Sequence, residues 1–133
     1  MANSFYSYLA FIQPNAKITF DDIKTNLEEF YANKKGKPTI TQSKSNMVLT
    51  FKDYQFSIHY SNEKHVIEEA REIADRTDVD WADNKIDKEK LKECSSRFEI
   101  WGEEDFDMDY FNDSLFIIET IEKLDGLIIF YVN

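Results

Sequence analysis

The sequence predicts a two-layer α+β fold, with helices packed on a mixed, mainly antiparallel sheet and the element order β-α-β-β-β-α-β-α-β. Residues 46–60 contain two runs of alternating apolar and polar side chains joined by Lys52-Asp53, a pattern typical of an antiparallel hairpin with one buried face. Residues 19–31 repeat apolar side chains at spacings of three and four, which is typical of a helix. Residues 127–132 form a continuous apolar run of strand length.

The first half of the chain predicts a strand, a helix and a three-stranded meander. The strand covers residues 4–13 and should be central in the sheet, because both of its faces are apolar. The helix begins at Thr19, whose hydroxyl can cap it, and ends within residues 33–38. A short β-branched strand over residues 39–43 should pair beside the hairpin.

The second half predicts helices, two strands and two acidic loops. The first helix is capped by Ser61 or Asn62 and ends near Thr77, and a loop over 78–87 leads to a short helix carrying Leu91 and Cys94. A strand over 97–101 and a loop over 103–109 follow. The chain then forms a helix over 111–124, capped by Asp109 or Asn112, and a strand over 127–132. The last strand is apolar on both faces, so it should lie inside the sheet rather than at its edge. A chain of 133 residues with these elements is expected to form a single domain over residues 1–133.

The charge of the chain is unevenly distributed. The net charge is −10, and residues 67–133 hold 8 Lys/Arg against 20 Asp/Glu, whereas residues 1–66 hold 8 against 6. Such a field repels nucleic acid and anionic membranes and attracts basic proteins. We therefore expect a basic protein partner, no nucleic-acid partner and no membrane partner; the alternative is that the acidity serves solubility alone.

The sequence also indicates a cytoplasmic location. The N-terminus has no basic region followed by an apolar segment, and the apolar runs are far shorter than the roughly 20 residues that span a bilayer. The single cysteine, Cys94, cannot form an internal disulfide, which fits a reducing compartment. Whether the protein is a monomer or a homodimer stays open.

Catalytic chemistry has little support in the sequence. His59 falls on the polar face of the hairpin, His65 lies near a helix start, and Cys94 has no electropositive neighbourhood. The chain contains no phosphate-binding glycine loop, nucleophile elbow, HExxH motif or paired CxxC motif. We expect a non-enzymatic protein without a cofactor, in which both histidines are structural.

A metal-dependent enzyme or regulator that uses the acidic loops 78–87 and 103–113 is the alternative. Three aspartates of the second loop alternate in the sequence as they do at the start of a calcium loop. However, Tyr110 occupies the sixth position of that loop, which requires Gly, and Phe116 occupies the twelfth, which requires Glu. The sequence therefore predicts no specific metal site and leaves a looser cation site open.

Two acidic and aromatic stretches are predicted to bind a partner. Interfaces are enriched in aromatic anchors, and acidic rims steer a basic partner toward them. The predicted binding residues are Asp78, Asp80, Trp81 and Asp83 in the first stretch, and Trp101, Glu103, Glu104, Asp105, Phe106, Asp107, Asp109 and Tyr110 in the second. The alternative interpretation is that the aromatic residues lie in the core, above all Trp101 at a strand end.

In size, acidity, mixed α/β character and these two stretches, the chain resembles the small immunity proteins of bacterial toxin systems, which bind and neutralise a cognate toxin. The resemblance is one of type over the whole chain and assigns no functional residue. It implies a basic, nuclease-like toxin as the partner. A self-associating adaptor domain is the third hypothesis.

Overall fold

One six-stranded sheet organises the computed structural model, which describes residues 5–76 and 87–132. In chain order the elements are β1 (Phe5–Ile12), α1 (Phe20–Tyr31), β2 (Thr39–Gln42), β3 (Asn46–Thr50), β4 (Gln55–Ser61), α2 (Lys64–Ala74), α3 (Lys88–Lys92), β5 (Ser96–Gly102), α4 (Phe111–Glu122) and β6 (Leu127–Tyr131). The strand order is β2-β3-β4-β5-β1-β6, and every pairing is antiparallel. The predicted α+β class and element order are confirmed, and α3 is the expected short helix, which contains Leu91 but ends before Cys94. The sheet is antiparallel throughout rather than mixed.

Strands β2, β3 and β4 form the predicted meander, and their side chains alternate as expected. Met47 and Leu49 of β3 and Phe56 and Ile58 of β4 are fully buried. The register places Met47 opposite Ile58 and Leu49 opposite Phe56. Since residues two apart in a strand share a face, one face of the hairpin builds the core.

β1 lies inside the sheet, between β5 and β6, as predicted from its two apolar faces. Ala10 and Ile12 join the larger core with α1 and α4, whereas Phe11 joins a second core with α2 and α3. Because successive strand residues point to opposite faces, helices cover both sides of the sheet here. The two predicted layers hold for the larger core, and α2 and α3 add a smaller third layer.

The prediction that the last strand lies inside the sheet is wrong. β6 pairs with β1 and forms one edge of the sheet among the described strands. Leu127 and Ile129 pack against the larger core, while Ile128 and Phe130 pack with the smaller one. Helices on both faces, rather than a central position, therefore explain the continuous apolar run.

The start of α1 follows the sequence prediction, but the start of α2 does not. Thr19 caps α1 in a capping box with Asp22, whose carboxylate accepts from the Thr19 amide at 2.8 Å. α2 begins after Glu63 without a side-chain cap, so the predicted cap by Ser61 or Asn62 is wrong. Ser61 is instead buried as the last residue of β4.

Tyr31 joins α1 to α4 across the edge of the larger core. Its side chain is buried, and its hydroxyl donates to Asp113 Oδ1 in the first turn of α4 at 2.7 Å. Burial first, and then this hydrogen bond, raise the pKa of Tyr31. The neutral phenol is thus the form that the folded state holds.

We expect Tyr31 to make the protein less stable at alkaline pH. Its pKa is raised on folding above the unfolded value of about 10, so its contribution is complete below about pH 10 and is lost as the pH rises toward the folded pKa. The free energy of unfolding should therefore fall as the pH rises above about 10, and more steeply in the wild type than in Tyr31→Phe. Urea unfolding of both proteins at several pH values measures this; equal slopes would contradict it.

Candidate functional site

The exposed apolar surface of the described residues is gathered in one region. The large hydrophobic side chains exposed there are Phe106, Met108, Phe111, Leu115, Tyr131 and Val132. They come from the loop before α4, from the first turns of α4 and from the end of β6 with the residue after it. Isolated apolar side chains are common on protein surfaces, but a contiguous patch is typical of an interaction site.

A groove of about 490 Å³ runs through this region, and we refer to it as the β1–α4 groove. Its walls are Phe5, Tyr6, Ser7, Tyr8, Met108, Phe111, Leu115 and Tyr131. The ring centroids of Tyr8 and Tyr131 are 5.1 Å apart, and Phe5 lies 5.2 Å from the exposed ring of Phe106; both pairs meet edge-on. The groove is therefore an open aromatic surface built by β1, β6 and α4.

Two residues of the groove have a left-handed backbone. Tyr6 has φ 57° and Met108 has φ 59°. At Tyr6 the pairing of β1 with β5 shifts register between Phe5 and Tyr8, as in a β-bulge. Such positions cost roughly 1–3 kcal/mol each and persist only where surrounding contacts hold them.

The Asp105 carboxylate supplies contacts that hold the bulge and the loop. It is 8% exposed and accepts hydrogen bonds from the Tyr6 hydroxyl at 2.7 Å, the Asp109 amide at 3.0 Å and the Tyr110 amide at 2.8 Å. α4 begins after Tyr110 without a side-chain cap, so the predicted cap by Asp109 or Asn112 is wrong. These contacts favour a structural role for Asp105 over contact with a partner.

Tyr110 and Trp101 are also held within the protein. The Tyr110 ring stacks on Tyr54 with 4.4 Å between centroids, and its hydroxyl donates to Asp53 at 2.9 Å. Trp101 is half-buried in β5, where its neighbour Ile100 belongs to the larger core. Trp101 therefore points to the opposite face of the sheet, away from the groove.

The other predicted binding residues divide into two groups. Glu103, Glu104, Phe106, Asp107 and Asp109 are exposed in the loop beside the groove. Asp78, Asp80, Trp81 and Asp83 lie outside the described residues. The structure thus brings one acidic and aromatic stretch to the groove and leaves the prediction for the other as it was.

The strand walls of the groove were not predicted from the sequence. Tyr8 and Tyr131 are far apart in the chain and meet because β1 pairs with β6. The helical periodicity predicts that Phe111 and Leu115 lie on the apolar face of α4. They do lie at the edge of that face, but they are 38% and 37% exposed. Their spacing of four residues directly after the acidic loop was the available signal.

Carboxylates lie at the β6 end of the groove. Burial first, and then the negative charge of Glu122, raise the pKa of Tyr131. Burial and the neighbouring Glu119 carboxylate also raise the pKa of Glu122 itself. No Lys, Arg or His within residues 5–76 and 87–132 forms an ion pair with either glutamate.

Carboxylates lie at the loop end of the groove as well. Burial first, and then the hydrogen bond to Asp105, raise the pKa of Tyr6, and Asp109 adds to the shift. Asp107 and Asp109 are exposed, and neither carboxylate forms an ion pair with another described residue. Negative charge therefore flanks the apolar groove at both ends.

Both histidines lie near Glu99, which is opposite His59 in the pairing of β4 with β5, whereas Cys94 belongs to the smaller core. Cys94 is buried, and burial raises the pKa of its thiol to about 11. His59 Nδ1 lies 2.8 Å from Asn46 Oδ1, and His65 Nε2 lies 3.8 Å from a Glu99 oxygen. In the part of the chain that the structure describes, no group of three or more His, Cys, Asp or Glu residues is arranged to hold a metal ion.

No protein-family model, curated protein or solved structure matches this chain. Among the helices that the structure describes, none combines the length and hydrophobicity needed to cross a bilayer. Fold and site together define an α+β domain that exposes an apolar groove flanked by carboxylates.

We expect Asp105→Asn to destabilise the protein. The amide would offer one acceptor oxygen where the carboxylate offers two, leaving a hydrogen-bond donor without an acceptor, so the free energy of unfolding should fall by roughly 1–3 kcal/mol. Asp107→Asn is the matched control, because Asp107 is exposed and accepts no hydrogen bond from another described residue; it should change stability by less than about 0.5 kcal/mol. Urea unfolding at neutral pH measures both. Equal losses would argue against the structural role of Asp105.

Proposed function

We propose that this chain is a non-enzymatic binding protein that captures a basic protein partner in the β1–α4 groove. The observation that carries the proposal is that four of the six large apolar side chains exposed in the described residues line this groove, and that a fifth, Phe106, packs on its wall at Phe5. Aromatic and methionine anchors surrounded by a polar rim are typical of protein interfaces. Phe106 and Met108, at 76% and 58% exposure, offer the most apolar surface to a partner.

The charge around the groove supports a basic partner. Asp107 and Asp109 lie near one end, and Glu119 and Glu122 lie near the other. The whole chain carries a net charge of −10. Electrostatic steering by such a field raises the association rate of a positively charged protein and disfavours nucleic acid.

The particular form of the proposal is an immunity protein that acts in the cytoplasm and neutralises a toxin. The small acidic α+β domain and its exposed groove support this form, and so does Cys94, a free thiol suited to a reducing compartment. A nuclease toxin binds phosphates through basic residues, so an acidic protein surface can occupy the same region and block the active site.

We expect the aspartates of the loop to control the association rate. Asp107→Asn combined with Asp109→Asn should slow association with the partner by about two- to tenfold and flatten its salt dependence, because steering acts before contact. Glu68→Gln combined with Glu72→Gln removes the same charge from α2, on the opposite face of the sheet, and should have a smaller effect. Surface plasmon resonance at several salt concentrations measures both rates. Equal effects of the two pairs would indicate that only total charge matters.

We expect the apolar side chains of the groove to control dissociation. Capture from a lysate of the native host at low salt, with mass spectrometry, should recover a basic partner whose expression alone is toxic and whose co-expression with this chain is harmless. Phe106→Ala combined with Leu115→Ala should speed dissociation of that purified partner by about tenfold or more, since buried anchors carry most interface energy. Ile40→Ala, at the far edge of the sheet, is the control. If the partner dissociates from the double variant and from Ile40→Ala as slowly as it does from the wild type, the proposal is overturned.

A further inference from the structure

The peptide groups on the outer edge of β6 form no hydrogen bond with another strand among the described residues. The Val132 amide donates to the Ser7 carbonyl at 3.1 Å, and the Gln13 amide donates to the Gly126 carbonyl at 2.9 Å. Hydrogen-bonded residues alternate along an antiparallel pair, so the even-numbered residues of β6 direct their N–H and C=O groups toward β1. The residues that direct N–H and C=O groups to the open edge are Leu127, Ile129 and Tyr131.

Within residues 5–76 and 87–132, this edge lacks the features that usually prevent pairing with another chain. Proteins protect edge strands with lysine, proline, bulges or very short strands. β6 is five apolar and aromatic residues, Leu-Ile-Ile-Phe-Tyr, in regular register with β1. Its side chains pack against cores on both faces, which hold the strand in place. The opposite edge, β2, consists of the largely exposed residues Thr-Ile-Thr-Gln.

The open edge is continuous with the β1–α4 groove. Tyr131 ends β6 and also forms a wall of the groove beside Tyr8. A strand added along β6 would place every second side chain on the face of the sheet that α4 covers, beside Tyr131. That is the face on which Glu122 and Glu119 act on Tyr131.

We propose that an extended segment of the basic partner pairs with the outer edge of β6. Its lysine or arginine side chains would then lie on the face of the sheet that α4 covers, against Glu119 and Glu122. This inference rests on the proposed function and states how the partner is held. Main-chain hydrogen bonds supply affinity in such strand addition, and alternate side chains supply specificity. A second copy of this chain is a poorer occupant, because it would bring the same two carboxylates and another charge of −10 to the edge.

The first measurement is amide hydrogen exchange of the free protein, followed by NMR. We expect the amides of Leu127, Ile129 and Tyr131 to exchange at least about tenfold faster than those of Ile128 and Phe130, because only the latter bond to β1. Protection of the odd-numbered amides that grows with protein concentration would show that a second copy occupies the edge, and would overturn the proposal.

The second measurement uses a designed probe, an acetylated and amidated heptapeptide in which lysine alternates with valine. Saturating peptide should slow exchange of the three odd-numbered amides at least about tenfold. Two further peptides each carry methyl groups on alternate backbone nitrogens, so that in each peptide a different edge cannot donate hydrogen bonds. Because a strand pairs through one edge only, one of these two peptides should bind about tenfold more weakly than the other. A peptide with glutamate in place of lysine tests the charge and should also bind at least about tenfold more weakly.

The outcomes separate this inference from the proposed function. No binding of the lysine peptide at about 1 mM, or equal binding of both methylated peptides, would overturn pairing at β6. Salt-sensitive binding without slower exchange of the odd-numbered amides would also overturn it, while leaving capture of a basic partner in the groove intact. Slower exchange with the peptide, together with a natural partner that is insensitive to groove variants, would support β6 pairing and refute the proposed function.

Discussion

The hydrogen bonds of Asp105 are the interaction on which the groove depends. One carboxylate joins Tyr6 of β1 to the amides of Asp109 and Tyr110, which lead into α4. These groups are about 100 residues apart in the chain, and they hold β1 next to α4, two of the three elements that build the groove. An amide or an apolar side chain at position 105 could not satisfy all three donors.

Tyrosine–aspartate bonds extend this arrangement to the rest of the larger core. Tyr31 of α1 donates to Asp113, and Tyr110 donates to Asp53 in the hairpin turn. Acidic residues therefore have two roles. Some accept hydrogen bonds that attach α4 and its loop to distant elements, whereas others, such as Asp107, face solvent without such a partner. Net charge alone does not distinguish the two, because the position of each carboxylate in the fold decides between them: even the exposed Asp53 accepts from Tyr110.

Much of the fold could be predicted from the sequence, because period and capping are local signals. The alternation around Met47 and Phe56 and the capping of α1 by Thr19 required no knowledge of distant contacts. The position of β6 at the edge and the meeting of Tyr8 with Tyr131 depended on strand order, which an apolar run does not encode. The site was therefore only half predictable: its acidic loop was visible in the sequence, and its strand walls were not.

The exposed groove and the open edge of β6 explain why strong acidity suits this particular fold. Apolar surface beside peptide groups that pair with no other described strand favours self-association, and β6 contains no lysine or proline to prevent it. A charge of −10 makes two copies repel each other, and Glu119 and Glu122 concentrate that repulsion beside the edge. The same charge attracts a basic chain. Under the proposed function, acidity selects the occupant of a surface whose apolar side chains and peptide groups would bind a second copy equally well.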